Sequence, residues 1–245
     1  VLDVGRSYLK AWPGRGVSGA VEEQFQQLLQ RRIQGEPVAY LIGTQGFWTL
    51  DLKVSADTLI PRPETELLVE AALELALPEQ AKALDLGTGT GAIALALASE
   101  RNHWQISAVD LMPNAVQLAS ANCQSHQLDN VEIFQSSWFA EITAQRFDLI
   151  VSNPPYIEDG DMHLTQGDVR FEPASALVSG TDGLDDLRLL IAESVNYLVD
   201  SGWLMVEHGY NQGPAVRELF EQAGFTQVET RRDLNDLERI TLGCC

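Results

Sequence analysis

Asn153-Pro154-Pro155-Tyr156 is the stretch of this chain best equipped to handle a planar nitrogen group. Each proline fixes φ and lacks an N–H, so the loop is stiff and its carbonyls are left free to accept. Asn153 adds a side-chain acceptor and two donors, and Tyr156 adds a flat apolar face. Two acceptors can hold the hydrogens of an NH2 group while a ring covers its plane. That arrangement suits an amide, or the exocyclic amine of a base, about to be alkylated. A rigid turn with no chemistry is the plainer reading.

The second constellation is Asp85-Leu86-Gly87-Thr88-Gly89-Thr90-Gly91. Lys82 to Leu86 reads as a strand and Ala92 to Ser99 as an Ala- and Leu-rich helix. Glycines between them allow a tight turn and close approach of a ligand to the backbone. Their spacing is Gly-x-Gly-x-Gly, unlike the Gly-x-Gly-x-x-Gly of dinucleotide binders, and an acid precedes them. A carboxylate there repels a pyrophosphate and favours a cationic sulfonium and ammonium group, so the cofactor indicated is S-adenosylmethionine. Asp110 closes the next apolar strand, Trp104 to Val109, before a helix opened by Pro113. An acid at that point can accept hydrogen bonds from ribose hydroxyls. The plainer readings are an ordinary strand-to-helix turn and a helix-capping aspartate.

Both constellations need strands to hold them. From Lys82 onward strand and helix alternate, which implies a parallel sheet with right-handed crossovers. Strands are expected near 82–86, 104–109, 130–134, 147–151 and 202–207, with a long helix over about 184–198. Asn153 to Tyr156 therefore fall at a strand's carboxyl end, where open α/β sheets place ligands. Residues 226–231 and 238–242 are strand-like with a short link, so they should form a terminal antiparallel hairpin at a sheet edge. The polar stretch 157–181 is long enough to be a lid or substrate-recognition loop. Ahead of the sheet, Val1 to Trp12 reads as the tail of a helix, and Glu22 to Gln34 as an amphipathic helix with Phe25, Leu28, Leu29 and Ile33 on one stripe. From Phe47 to Val54 the period changes to two, predicting a strand that is half of a hairpin. A helix then runs from the Ile60–Glu66 segment to about Leu77. The expected organisation is a partial helical domain over 1–36, a hairpin linker over 37–62 and a catalytic domain over 63–245.

The 245 residues allow one large domain with a small appendage, and 45% hydrophobic with 21% charged residues is an ordinary globular balance. No apolar run has the length of a membrane span, and no secretory pattern opens the chain. Cys123, Cys244 and Cys245 lack metal-ligand spacing, so no metal site is expected and a reducing cytoplasm is the natural setting. The formal net charge of −19, from 16 Lys plus Arg against 35 Asp plus Glu, argues against a nucleic-acid partner and for a basic protein surface.

Together, Asp85–Gly91, Asn153–Tyr156 and Ile60-Pro61-Arg62-Pro63-Glu64-Thr65-Glu66 resemble the HemK-type family. These are protein-glutamine N5-methyltransferases that modify peptide chain release factors. Arg170-Phe171-Glu172-Pro173 and Thr181-Asp182-Gly183-Leu184 extend the likeness over nearly the whole chain. The glycine motif says only methyltransferase, and the tetrapeptide is shared with enzymes that methylate base amines. The Pro-Arg-Pro-Glu segment narrows the match. The resemblance implies a Rossmann-like class I methyltransferase domain with a seven-stranded sheet. Its substrate is implied to be the glutamine of a Gly-Gly-Gln loop on class 1 release factors. By the same resemblance Gly87, Thr88, Gly89, Thr90 and Gly91 line the methionine part of the cofactor and Asp110 holds its ribose. Trp138 lies beside the adenine, and Asn153, Pro154, Pro155 and Tyr156 bind the glutamine amide, with Asn153 also bordering the cofactor. One departure is Ser137, where the family often carries an acid that meets the adenine amine.

The implied mechanism is direct in-line transfer, with Asn153 and the Pro154 carbonyl accepting the amide hydrogens and Tyr156 packing on the amide plane. Arg62 and Glu66 either frame the site or fix the linker by a salt bridge. Glu207 and His208 end a strand near the active edge, where a hydrogen-bonded structural histidine is the better reading. Trp48 reads as core, and Asp159 and Asp161 as a solvated loop face. The alternatives are an amino-methyltransferase acting on adenine or guanine in DNA or RNA, and a silent cofactor-binding adaptor.

Overall fold

The computed structural model describes residues 1–2, 4–143 and 145–245. Three helices open it: α1 (Arg6–Ala11), α2 (Gly19–Ile33) and α3 (Val38–Ile42). Ser18 caps α2 by accepting from the Val21 N–H. The α2 stripe expected to face a core does not do so. Phe25, Leu29 and Ile33 are exposed and only Leu28 is partly covered. What ties down the end of α2 is polar: Arg32 pairs with Asp168 at 2.9 Å, and Arg170 donates to the Gln34 carbonyl.

A two-stranded hairpin follows, β1 (Thr44–Phe47) against β2 (Leu50–Lys53), with Phe47 opposite Leu50. The expected strand over 47–54 is thus interrupted, because Trp48 and Thr49 form its turn. Trp48 continues the apolar alternation in sequence, yet its φ is 55°, the left-handed conformation a two-residue hairpin turn requires. Tertiary bonds hold it there: the Trp48 N–H donates to Glu66 and its indole N–H to Glu100, at 2.8 and 2.7 Å.

Next come α4 (Glu66–Glu74), β3 (Lys82–Leu86), α5 (Ala92–Glu100), β4 (Gln105–Asp110), α6 (Pro113–His126) and β5 (Val131–Gln135). The chain continues through β6 (Phe147–Ser152), α7 (Asp185–Ser194), β7 (Leu198–Glu207), α8 (Gly213–Gln222), β8 (Thr226–Arg232) and β9 (Glu238–Cys244). Seven strands form one sheet in the order β5-β4-β3-β6-β7-β9-β8. The pairs from β5 to β7 are parallel, and β9 joins β7 and β8 antiparallel. The expected terminal hairpin therefore closes one edge. Helix α7 ends four residues earlier than the periodicity suggests, since Leu198 already belongs to β7.

Strand alternation divides the core in two. Ala83, Leu149, Val151 and Met205 face α4 and α5, whereas Leu84, Leu86, Ile150 and Leu204 face α7 and α8. Every residue from Ala92 to Ala98 is buried, which explains why α5 is apolar all round and rich in alanine. β3 leads outward to β4 and β5 on one side, while β6 starts the other half. The sheet thus has a topological switch point between β3 and β6, and a crevice opens at their carboxyl ends.

Candidate active site

That crevice is a cavity lined by Gly87, Thr88, Gly89 and Thr90 after β3, Asp110 after β4, Trp138 after β5, and Asn153 and Pro155 after β6. The loop ahead of α4 contributes Thr58, Arg62 and Thr65, and the segment before and into α7 adds Ser175 and Asp186. The glycine loop and the asparagine clamp thus meet in one space. Gly91, Pro154 and Tyr156 are not among the lining residues. Gly91 instead caps α5 in a left-handed conformation, where a Cβ would lie 3.0 Å from Leu95.

The glycine loop is held by its own neighbours. The Gly87 and Thr88 N–H groups both donate to the Val109 carbonyl, and the Gly89 N–H donates to Asp110 at 2.9 Å. Gly87 has φ 74°, and a Cβ there would sit 3.3 Å from the Trp138 ring. Glycine is therefore needed for both torsion and space. Asp110 accepts from Gly89 with one oxygen and from the Met112 N–H with the other. Burial raises its pKa while these backbone donors lower it. Each carboxylate oxygen still has lone-pair capacity for a vicinal diol.

Asp85 does not supply the charge that its place before the glycines suggests. It is fully buried and absent from the cavity lining, and it accepts from the Thr88 hydroxyl and the Ala94 N–H. Burial lifts its carboxyl to about 7, with those two donors drawing it back. It braces the turn from behind. The cavity is acidic for another reason: among the described residues, Asp57, Asp110 and Asp186 line it against the single cation Arg62. Arg62 is itself committed to Glu172, whose carboxylate is sealed from solvent. Of the two readings left open for Arg62, the structure shows both, an ion pair and a place in the cavity lining. Glu66 likewise serves the linker by accepting from Trp48.

The clamp is assembled from afar. Asn153 donates through Nδ2 to the Thr65 hydroxyl at 3.1 Å, while its Oδ1 is buried with no partner among the described residues. The Tyr156 hydroxyl donates to Glu207 at 3.3 Å, and its carbonyl accepts from Gln212. Burial and the Glu207 charge raise the Tyr156 pKa, so the phenol stays protonated. Residues 157–181 fold back on the tetrapeptide: the Tyr156 and Ile157 N–H groups donate to the Leu177 carbonyl, and Ile157 bridges to Val178. His208 is buried between the Gly209 carbonyl and the Thr241 hydroxyl, a structural place. Sequence reasoning misses Thr58 and Thr65 as cavity residues. Both are buried, and Thr65 stands in view inside the Ile60–Glu66 segment.

S-adenosylmethionine fits what is present. An acidic cavity suits its cationic end, and the Gly87–Trp138 contact leaves a flat aromatic face beside the loop. Asp110 offers acceptors, and two buried polar atoms, Asn153 Oδ1 and Thr58 Oγ1, lack partners among the described residues.

Comparison with known proteins agrees. Residues 63–181 match the methyltransferase small domain model, and residues 1–43 match the PrmC N-terminal domain model. A Pseudomonas aeruginosa release factor glutamine methyltransferase is 57% identical, over 97% of this chain and 86% of that protein. The Escherichia coli one is 54% identical, over 98% of this chain and 86% of its own. Among solved structures, a methyltransferase from Pyrococcus furiosus superposes with a TM-score of 0.61 at 16% identity, covering 88% of this chain and 96% of that one. The hMettl16 catalytic domain, solved with a MAT2A 3'UTR hairpin, gives 0.65 at 15% identity, covering 80% and 76%. These two likenesses concern the fold. With the sequence matches over nearly the whole chain they support one conclusion: this chain belongs to the release factor glutamine methyltransferase family.

Proposed function

We propose that this protein transfers a methyl group from S-adenosylmethionine to the side-chain amide nitrogen (N5) of the glutamine in the Gly-Gly-Gln motif of class 1 peptide chain release factors. The observation that carries this is Asn153 Oδ1, a buried acceptor with no partner among the described residues, bordering the same cavity as the glycine loop. A buried polar atom left unpaired is costly, so such an acceptor is best explained by a donor that arrives with the substrate.

S-adenosylmethionine, when bound, supplies an activated methyl on a sulfonium. Gly87 to Thr90 would hold its methionine part, Asp110 would accept from the ribose and Trp138 would flank the adenine. An amide nitrogen is a poor nucleophile because its lone pair is delocalised. Asn153 and the Pro154 carbonyl each accept one amide hydrogen, which aims the nitrogen and stabilises the positive charge that grows on it. Tyr156 packs against the amide plane and, as a neutral phenol, adds no charge. The rigid prolines would hold the amide nitrogen in one orientation toward the methyl group that the cofactor would supply. No strong base is required first, because the alkylated nitrogen is acidic and sheds its proton afterwards.

The family membership, the net charge of −19 and the acidic cavity support a protein substrate over a nucleic acid. Among the described residues no helix is long and apolar enough to cross a membrane, and no cluster able to hold a metal is found. The setting we propose is the cytoplasm, where release factors act. The test is labelled S-adenosylmethionine offered separately to a release factor, DNA and RNA, with peptide mapping of the product. Label on the Gly-Gly-Gln glutamine is expected. Label on a nucleic acid alone overturns the substrate, and no label anywhere points to a silent protein.

A further inference from the structure

S-adenosylmethionine carries one anionic group, the carboxylate of its methionine end, and the cavity that suits it is acidic. That carboxylate needs donors where cations are scarce. Among the described residues Arg62 is the single cation of the lining, and it is already paired with Glu172. Two features offer donors near the glycine loop. One is the amino terminus of α5, nine residues long, whose N-cap Gly91 has no side chain to satisfy the first N–H groups. Ala92 and Ile93, its first residues, line the cavity, and the open N–H end of a helix favours an anion. The other is Thr58, in the loop that leads from the hairpin to α4. Thr58 is 2% exposed and borders the cavity, and its Oγ1 has no partner among the described residues. A Cβ built on Gly89 would lie 4.0 Å from the Thr58 Cβ, its nearest contact beyond its own chain neighbours. The Thr58 side chain thus stands facing the middle of the glycine loop.

We propose that Thr58 is a cofactor-binding residue whose hydroxyl, together with the amino terminus of α5, donates to the carboxylate of S-adenosylmethionine. The fold holds this residue from two sides. The Tyr40 hydroxyl, on α3, donates to the Thr58 carbonyl at 3.0 Å, and Asn114, in the first turn of α6, donates to Asp57 at 3.0 Å. Neither bond uses the Thr58 hydroxyl, which is left buried and unpaired at the cavity. Such a group is costly unless a ligand meets it. A hydroxyl has one proton to give and adds no charge, so the acidic lining stays available to the cofactor's ammonium group.

This inference rests on the S-adenosylmethionine reading of the cavity and deepens it. Its test is calorimetric binding of S-adenosylmethionine and of decarboxylated S-adenosylmethionine, which keeps the sulfonium and the ammonium but lacks the carboxylate. Wild type is compared with Thr58→Val, which removes the hydroxyl at nearly constant shape, and with Thr58→Ser, which keeps it. Thr58→Val should weaken S-adenosylmethionine binding by about tenfold or more, the scale of one hydrogen bond to a charged group. The decarboxylated ligand should bind Thr58→Val and wild type within about twofold of each other, since the hydroxyl's partner is absent from it. Thr58→Ser should keep S-adenosylmethionine affinity within about threefold of wild type. The melting temperature of ligand-free Thr58→Val should not fall, because the lost hydroxyl has no protein partner among the described residues. A fall would mark a structural hydroxyl and count against the proposal. Wild-type affinity in Thr58→Val overturns it, as does an equal loss for both ligands, which would place the hydroxyl's effect elsewhere than on the carboxylate. A wild type that binds S-adenosylmethionine with this dependence on Thr58, but methylates no release factor, counts against the proposed substrate alone. A wild type that binds neither ligand ends the cofactor reading and this inference together.

Discussion

The two walls of the cavity are built in opposite ways. On the cofactor wall the fixing hydrogen bonds are local: Thr88 to Asp85 spans 3 residues, Ala94 to Asp85 spans 9, and Gly89 to Asp110 spans 21. On the clamp wall they are long: Asn153 to Thr65 spans 88, Tyr156 to Glu207 spans 51, and Arg62 to Glu172 spans 110. Each wall contains a fully buried carboxylate lifted to about 7 by burial, Asp85 in one and Glu207 in the other. Asp85 serves its own turn, whereas Glu207 serves Tyr156, delivered by another segment. A wall made from one turn and its neighbours is preorganised as soon as the turn forms. A wall made from distant pieces is preorganised only by the finished fold. Damage to the first should therefore appear mainly in cofactor binding, and damage to the second mainly in rate.

The largest expected effect breaks the clamp wall. Asn153→Ala should lower kcat by about 10²–10³, the scale for losing one preorganised transition-state contact. Cofactor affinity, read by calorimetry, should change only a few-fold; equal losses in both would erase the distinction between the walls. Asp110→Ala should do the reverse. Losing an acceptor of ribose hydroxyls weakens S-adenosylmethionine binding by about 10–100-fold, while kcat at saturating cofactor stays near wild type.

A third prediction concerns stability. The Glu207 carboxyl sits at about 7 in the fold against an ordinary 4.5, so the native state binds its proton more tightly than the unfolded chain. Its contribution to stability is full below about 4.5 and is lost as pH rises through about 7. Glutamine has no such proton. The unfolding free energy of Glu207→Gln relative to wild type should therefore rise by about 1–3 kcal/mol between pH 4.5 and 8. Denaturant melts across that range measure it, and a flat difference would mean the carboxyl is not held up. The smallest effect lies outside both walls. Asp168→Ala removes an exposed partner of Arg32 and should change stability by less than about 0.5 kcal/mol.

The same contrast sets what could be read from the chain. The strands from Lys82 to Leu86 and Phe147 to Val151 show as apolar runs, and the sheet holds them almost residue for residue. Gly87 to Gly91 announce a tight turn because no other residue type occupies such torsions freely. Trp48 defeats the same kind of reading, since its apolar side chain extends a period-two pattern through what is a turn. The α2 stripe misleads differently: Phe25 and Ile33 keep helical spacing yet face solvent, because periodicity reports a face without naming what covers it. Asp85 stands at the strand end that its sequence position implies, but its carboxylate points behind the loop.

The order of strand and helix, the turn chemistry after β3 and the stiffness of Asn153–Tyr156 are properties of neighbouring residues, carried by φ restrictions and hydrophobic period, and so they are legible one letter at a time. Which wall Thr65 joins, which way the Asn153 amide turns and which buried acid faces the clamp depend on burial and on partners up to 110 residues away. Those are decided only when desolvation in the folded core forces each polar atom to find its acceptor.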